Sequence, residues 1–129
     1  MDNINEITKE IIDAAIKIHK QIGPGLLESV YEMVLVRELQ LRKLKIETQK
    51  YISFEYEGMV FKNAFKIDVL VEETVLIEIK SLEKILPVHS KQLLTYLKLM
   101  NNPVGILLNF GMALMKDGIH RIVNQYNPS

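Results

Sequence analysis

Cysteine is absent from the chain, which excludes disulfides, thiolate–zinc sites and cysteine nucleophiles together. Neither sign of charge is in excess, because 16 basic and 16 acidic residues cancel. A general coat for nucleic acid normally needs a strong basic excess. Only a local basic patch therefore stays open, and neutrality limits non-specific affinity rather than chemistry. No apolar run approaches the roughly 20 residues of a membrane span, and the amino terminus has no basic-then-apolar signal pattern. A cytoplasmic location with no membrane contact is the expectation. Repeats, low-complexity tracts and linkers are also missing. What is present, 48% hydrophobic and 25% charged residues in a chain of 129, is the balance of a globular protein. A chain of this size buries roughly two-thirds of its unfolded surface, so one domain over residues 1–129 is expected.

Helical spacing comes first. Ile7, Ile11, Ile18 and Ile22, with Ala14 and Ala15 between them, predict a helix over Asn3 to Gln21, capped by Asn3 or Asn5. Gly23-Pro24-Gly25 breaks it, since proline lacks the amide donor and glycine permits positive φ. A second helix is expected over Leu26 to Arg42, with Leu27, Val30, Tyr31, Val34 and Leu35 on one side. After Lys45 the period falls to two. Strands are expected at Tyr51–Tyr56, Met59–Val71 and Thr74–Lys80, the first two joined by a Glu57-Gly58 turn. Pro87 stands where a third helix should begin, with Leu93, Leu94, Leu97 and Met100 as its apolar side. Val104–Asn109 reads as a strand covered on both faces. Asp117-Gly118 should join Ala113–Lys116 to Ile119–Val123 in a last hairpin.

The chemistry is concentrated between Lys66 and Lys80. Alternation places Ile67, Val69 and Val71 on one face of one strand, and Val75, Ile77 and Ile79 on one face of the next. A Glu72-Glu73-Thr74 loop lets these six share a core, with Val71 opposite Val75, Val69 opposite Ile77 and Ile67 opposite Ile79. Asp68 then opposes Glu78 and Lys66 opposes Lys80 on the other face. Like charges directly opposed in a sheet are destabilising. A bound cation relieves such a carboxylate pair, which makes half of a Mg²⁺ or Mn²⁺ site, completed by water and phosphate oxygens. The bland reading is a solvated face of alternating charge. Leu70 and Leu76 continue that face and make it only partly wet, which favours a site.

Asp68, nine intervening residues and Glu78-Ile79-Lys80 resemble the bipartite signature of the PD-(D/E)XK nuclease superfamily. Gly25-Leu26-Leu27-Glu28-Ser29-Val30-Tyr31 resembles the motif of the small GxxExxY proteins, a branch of it. Gln92 to Lys98 is similar to that branch's helix after the ExK strand, and Asn109-Phe110-Gly111 and Asp117-Gly118-Ile119 continue the likeness over nearly the whole chain. Ile67 replaces the superfamily's proline before the first carboxylate. The resemblance implies an α/β fold with a restriction-endonuclease-like αβββαβ core, a mixed sheet flanked by helices.

It also implies a metal-dependent phosphodiesterase acting on nucleic acid, DNA ahead of RNA, with a homodimer as a further option. Asp68, Glu78 and the Ile79 carbonyl would hold Mg²⁺ or Mn²⁺. Glu28 would add a ligand directly or through water; its structural alternative is favourable charge at a helix amino terminus, worth about 0.3–1 kcal/mol. Lys80 would orient the attacking water and stabilise charge on the phosphate. Gln92 would touch the site or its water. Tyr31 is expected to pack on the sheet with its hydroxyl near the site, and Tyr96 to pack. His89 is expected as a surface histidine near a helix start, with substrate contact as its alternative, and His19 as a cap to nearby carbonyls. Lys84, Lys91 and Lys98, with Lys62 and Lys66, would supply phosphate contacts, solvated lysines being the even alternative. The rival function is an interaction module that keeps the fold without turnover.

Overall fold

The structure, a computed structural model, describes residues 3–124. Helix α1 spans Ile4–Ile22 and α2 Glu28–Leu41. Strands β1 (Ile46–Tyr56), β2 (Met59–Val71) and β3 (Val75–Lys80) follow, then α3 (Pro87–Met100), β4 (Val104–Asn109), a 3₁₀ turn (Met115–Gly118) and β5 (Ile119–Val123). One five-stranded sheet runs β1-β2-β3-β4-β5, parallel only between β3 and β4, where α3 makes the crossover. No helix among the described residues is long and apolar enough to cross a membrane.

Helices α1 and α3 form where apolar spacing coincides with a side-chain bond at the amino terminus. Asn3 caps α1, its Oδ1 accepting from the Asn5 amide at 2.8 Å. The stripe Ile7, Ile11, Ala14, Ala15 and Ile18 is buried, but Ile22 in the last turn is exposed. Leu27 is the residue before α2 rather than part of its apolar side, and it lies exposed. Pro87 occupies the first turn of α3, where no amide donor is needed. The His89 Nδ1 there accepts the Leu86 amide at 3.0 Å.

Two apolar layers sandwich the sheet. Val69, Val71, Val75, Ile77 and Ile79 face α1 and α2, together with Ile106 and Leu108 of β4. Leu70, Leu76 and Leu107 face α3 through Leu93 and Leu97. Val69 pairs with Ile77 and Val71 with Val75 as expected, but the ladder stops there, so the expected pairs Ile67–Ile79, Asp68–Glu78 and Lys66–Lys80 do not form. The Glu72-Glu73 loop accommodates the register by placing both residues in left-handed backbone, φ 51° and 56°.

The structure departs from the sequence pattern in three places. β1 begins at Ile46, five residues before Tyr51, because its first half is an exposed edge with weak alternation. Residues 113–116 form no strand: Met115 opens the 3₁₀ turn, and β5 pairs with β4 instead. Finally, Ile67 does not join Val69 and Val71; it packs on the α3 side with Leu70 and Leu76. The alternation flips at Asp68. There the β2–β3 ladder has ended, and the facing residue of β1, Gln49, has a left-handed backbone, φ 50°, which interrupts the β1–β2 pairing between Thr48–Val69 and Lys50–Ile67.

Candidate active site

The site lies where β2 and β3 separate. With the ladder closed at Val69–Ile77, Asp68 substitutes for it: its Oδ2 accepts the Ile79 amide at 2.9 Å. This fixes Asp68 against the strand that carries Glu78. Glu78 alternates with Leu76 toward α3, and it is 8% exposed. Its Oε1 is buried without a hydrogen-bond partner among the described residues. Burial first, and then the Asp68 carboxylate, push the Glu78 pKa from 4.5 up to about 8. Lys80 and the Asp68 backbone oppose that shift, and Glu28 adds to it. Without a cation, Glu78 is therefore mainly protonated at neutral pH.

Lys80 is half-buried at the end of β3, two residues beyond Glu78 and hence on its face. Its carbonyl receives the Phe110 amide at 2.8 Å. The chain beyond it is clamped by Asn109, whose Oδ1 accepts from the Leu82 amide (2.9 Å) and whose Nδ2 donates to the Leu82 carbonyl (3.0 Å). Gly111 lies against the same backbone; a Cβ there would come within 2.3 Å of the Leu82 oxygen. Asn109-Phe110-Gly111 thus holds the exit of the strand bearing Glu78 and Lys80.

Glu28 opens α2 and is exposed. The loop before it is tied down by Tyr31, whose hydroxyl donates to the Gly23 carbonyl at 2.6 Å and accepts the Leu26 amide at 3.2 Å. Ser81 adds a bond from its Oγ to the Leu26 carbonyl at 2.6 Å. The Tyr31 ring is fully buried, stacked on Phe110 at 4.5 Å. The tyrosine of this motif therefore positions the Glu28 loop, and its hydroxyl is used by backbone rather than turned to the carboxylates. Gln92 is exposed on α3 with no hydrogen-bond partner among the described residues. His19 bonds through Nε2 to the Met112 carbonyl at 2.8 Å, away from the acidic pair. Lys62, Lys66, Lys84, Lys91 and Lys98 are all exposed.

Two neighbours were not singled out as chemistry from the sequence. Glu32, half-buried on α2, has its pKa raised by burial and then by Asp68, with Gln49 and Lys66 opposing. Its Oε1 accepts the Gln49 Nε2 at 2.6 Å. The i+4 spacing from Glu28 was the available signal. Tyr96 stacks on Phe65 at 4.2 Å, and burial, Glu78 and Asp68 raise its hydroxyl pKa, which places it beside the pair.

The donor set suits a hard cation. Among the described residues no three acidic or histidine side chains converge tightly enough to enclose a metal ion by themselves. The Asp68 carboxylate and the buried Glu78 Oε1 are hard oxygen donors, and a Mg²⁺- or Mn²⁺-type ion, which keeps several waters and uses one or two carboxylates plus phosphate, would fit them. The cysteine-free chain offers nothing to softer metals there.

A mixed sheet built from a three-stranded meander, a helical crossover and an antiparallel edge strand, with helices on both faces, defines a restriction-endonuclease-like α/β fold. The family model of the PD-(D/E)XK nuclease superfamily matches residues 5–122, and the chain belongs to that superfamily. Among solved structures, the crystal structure of SSO0001 is similar in fold, with 23% identity and a TM-score of 0.54 over 77% of this chain. The match covers 50% of that chain, so this one spans about half its length. No curated protein matches.

Proposed function

We propose that this chain is a metal-dependent phosphodiesterase of nucleic acid, DNA ahead of RNA, in the GxxExxY branch of its superfamily. The observation that carries the reading is Glu78: a buried carboxyl with an unpartnered oxygen beside a second carboxylate that is itself fixed by a backbone amide. A buried polar atom without a partner costs about 1–3 kcal/mol, and a divalent cation at that oxygen removes the cost.

Asp68, Glu78 and the Ile79 carbonyl would hold Mg²⁺ or Mn²⁺, with Glu28 reaching the site directly or through water. When bound, the cation polarises the scissile phosphodiester and makes the attacking water more acidic. Lys80 holds a fixed positive charge on the same face as Glu78, where charge develops on the phosphate, and it orients the water. Its ammonium has three donors and no acceptor, so it serves the phosphate rather than the metal. Gln92, exposed one turn before Tyr96, is free to meet substrate or water. A second copy of the chain is the other partner this reading allows.

The test is cleavage of a mixed panel of DNA and RNA with Mn²⁺ or Mg²⁺, for the wild type beside Lys80→Met. The variant should keep metal affinity by calorimetry and lose roughly a hundred- to thousandfold in rate, the range of a preorganised electrostatic contact. Undiminished cleavage by Lys80→Met removes Lys80 from the chemistry. No cleavage by either protein, with binding weakened only in proportion to the lost charge, identifies a non-catalytic interaction module instead.

A further inference from the structure

β1 and β2 outrun the rest of the sheet. β3 pairs with β2 only from Val69 to Val71, so residues 50 to 66 pair only with each other and form a two-stranded arm. Seven residues of strand from Lys50 to Tyr56 carry it roughly 20 Å past the end of the sheet that bears Asp68 and Glu78. Such a ribbon is marginally stable alone, and this one leaves large apolar side chains uncovered: Tyr56 is 65% exposed, Met59 63% and Phe61 41%.

Register shows that these side chains share a face. Ile52 pairs with Phe65, Phe54 with Phe61, and Tyr56 with Met59. Between the first two pairs β1 advances two residues and β2 four, so the irregularity inserts two residues on β2. An even insertion keeps both strands in phase. The result is one apolar ribbon of Ile52, Phe54, Tyr56, Met59, Phe61 and Phe65. At its tip end Phe54 and Phe61 stack at 5.4 Å, and at its base Phe65 stacks on Tyr96 of α3. The ribbon therefore faces the α3 side, the side of Glu78, and begins at the tyrosine next to the carboxylate pair.

Charge along the arm is sorted as well. Glu55 pairs with Val60 on the opposite face, and Glu57 sits in the turn. Lys50 and Lys66 lie at the base of the arm, nearer the site: Lys50 is on the ribbon's face, opposite Ile67, and Lys66 is on the other face, over the Tyr51 ring at 5.8 Å. A strand of nucleic acid with a phosphate at Asp68 and Glu78 thus meets Lys50 first and the exposed rings beyond it. This is the pairing of backbone charge with stacking surfaces that serves unpaired bases. In a duplex the base faces are already stacked and hidden.

On the phosphodiesterase reading above, we propose that the aromatic ribbon of the β1–β2 arm is a base-stacking wall, and that the site takes single-stranded or unpaired nucleic acid. Fluorescence anisotropy with a labelled single-stranded oligonucleotide, and with the same sequence as a duplex, tests this across a series of salt concentrations with Ca²⁺. The single strand should bind more tightly. Phe61→Ala and Tyr56→Ala should each weaken single-strand binding roughly five- to hundredfold and leave the slope against salt unchanged, since no phosphate contact is lost. Phe61→Tyr should restore binding, and Phe61→Leu should not. Both positions are exposed, and an unchanged thermal melt verifies the fold of each variant.

Duplex preference, or equal binding by Phe61→Leu and wild type, overturns the proposal. So does a ribbon variant that turns a dimer into a monomer in sedimentation without altering oligonucleotide affinity, which would assign the ribbon to a second copy. If cleavage depends on Lys80 but not on the ribbon, the wall fails and the phosphodiesterase stands. If single strands bind through the ribbon but nothing is cleaved, the reverse holds.

Discussion

Replacing Glu78 with glutamine should change how stability depends on pH. The Glu78 pKa rises from 4.5 to about 8 on folding, so the folded state binds a proton that the unfolded state has already released. A raised folded pKa gives a contribution that is complete below about pH 4.5 and lost as pH climbs toward 8. At 1.36 kcal/mol per pKa unit, the wild type should lose up to about 2.5 kcal/mol between roughly pH 5 and 7 from this group alone. With about 2.1 cal/mol/K of unfolding entropy per residue, that is roughly 9 °C in Tm. Glu78→Gln keeps the shape of the protonated acid and cannot ionise. Its Tm should be equal to or below the wild type near pH 5 and above it near pH 8, in a chelator at constant ionic strength. Parallel Tm curves for the two proteins across this range would show that Glu78 is not held protonated, and the argument from burial would fall. A linked measurement uses calorimetry in buffers of different ionisation enthalpy: wild-type Mn²⁺ uptake near pH 7 should release close to one proton, because the cation binds the ionised carboxylate.

Asp68→Asn should abolish divalent-ion binding in calorimetry while leaving the metal-free Tm equal or higher, because an amide oxygen can still accept the Ile79 N–H and the repulsion with Glu78 is gone. Tyr31→Phe retains the stack on Phe110 but removes both hydroxyl bonds to the Gly23–Leu26 loop; a loss of roughly 1–3 kcal/mol in urea unfolding is expected, together with slower cleavage through the displaced Glu28. Gly111→Ala forces a Cβ to within 2.3 Å of a backbone oxygen, and the expected cost exceeds about 2 kcal/mol. Denaturant melts check it, and an unchanged midpoint would mean that the Leu82 backbone gives way.

Much of this protein was legible in its sequence because the decisive patterns are local. The isoleucine stripe of α1, the turn at Glu57-Gly58 and five of the six β-branched residues around Glu72-Glu73-Thr74 fix elements and register by short-range sterics and alternation. From that register the nearness of Asp68 to the strand of Glu78 follows without tertiary knowledge, but direct pairing does not, because the ladder closes at Val69–Ile77. What alternation could not supply is the flip at Asp68. Gln49, nineteen positions away in the chain, takes a left-handed backbone, and the Asp68 carboxylate takes the Ile79 amide. Only these long-range contacts send Ile67 to the α3 side and turn the arm's aromatic face with it.

The same holds for Tyr31 and Asn109. Their residue types announce a buried ring and a polar side chain, but the partners, Gly23 and Leu26 for one and Leu82 for the other, are assembled by packing. The sequence by itself determined that Asp68 and Glu78 lie on adjacent strands. The tertiary structure decided how deeply Glu78 is buried, and therefore whether it carries a charge, because burial is a property of everything packed around the strand rather than of the strand itself.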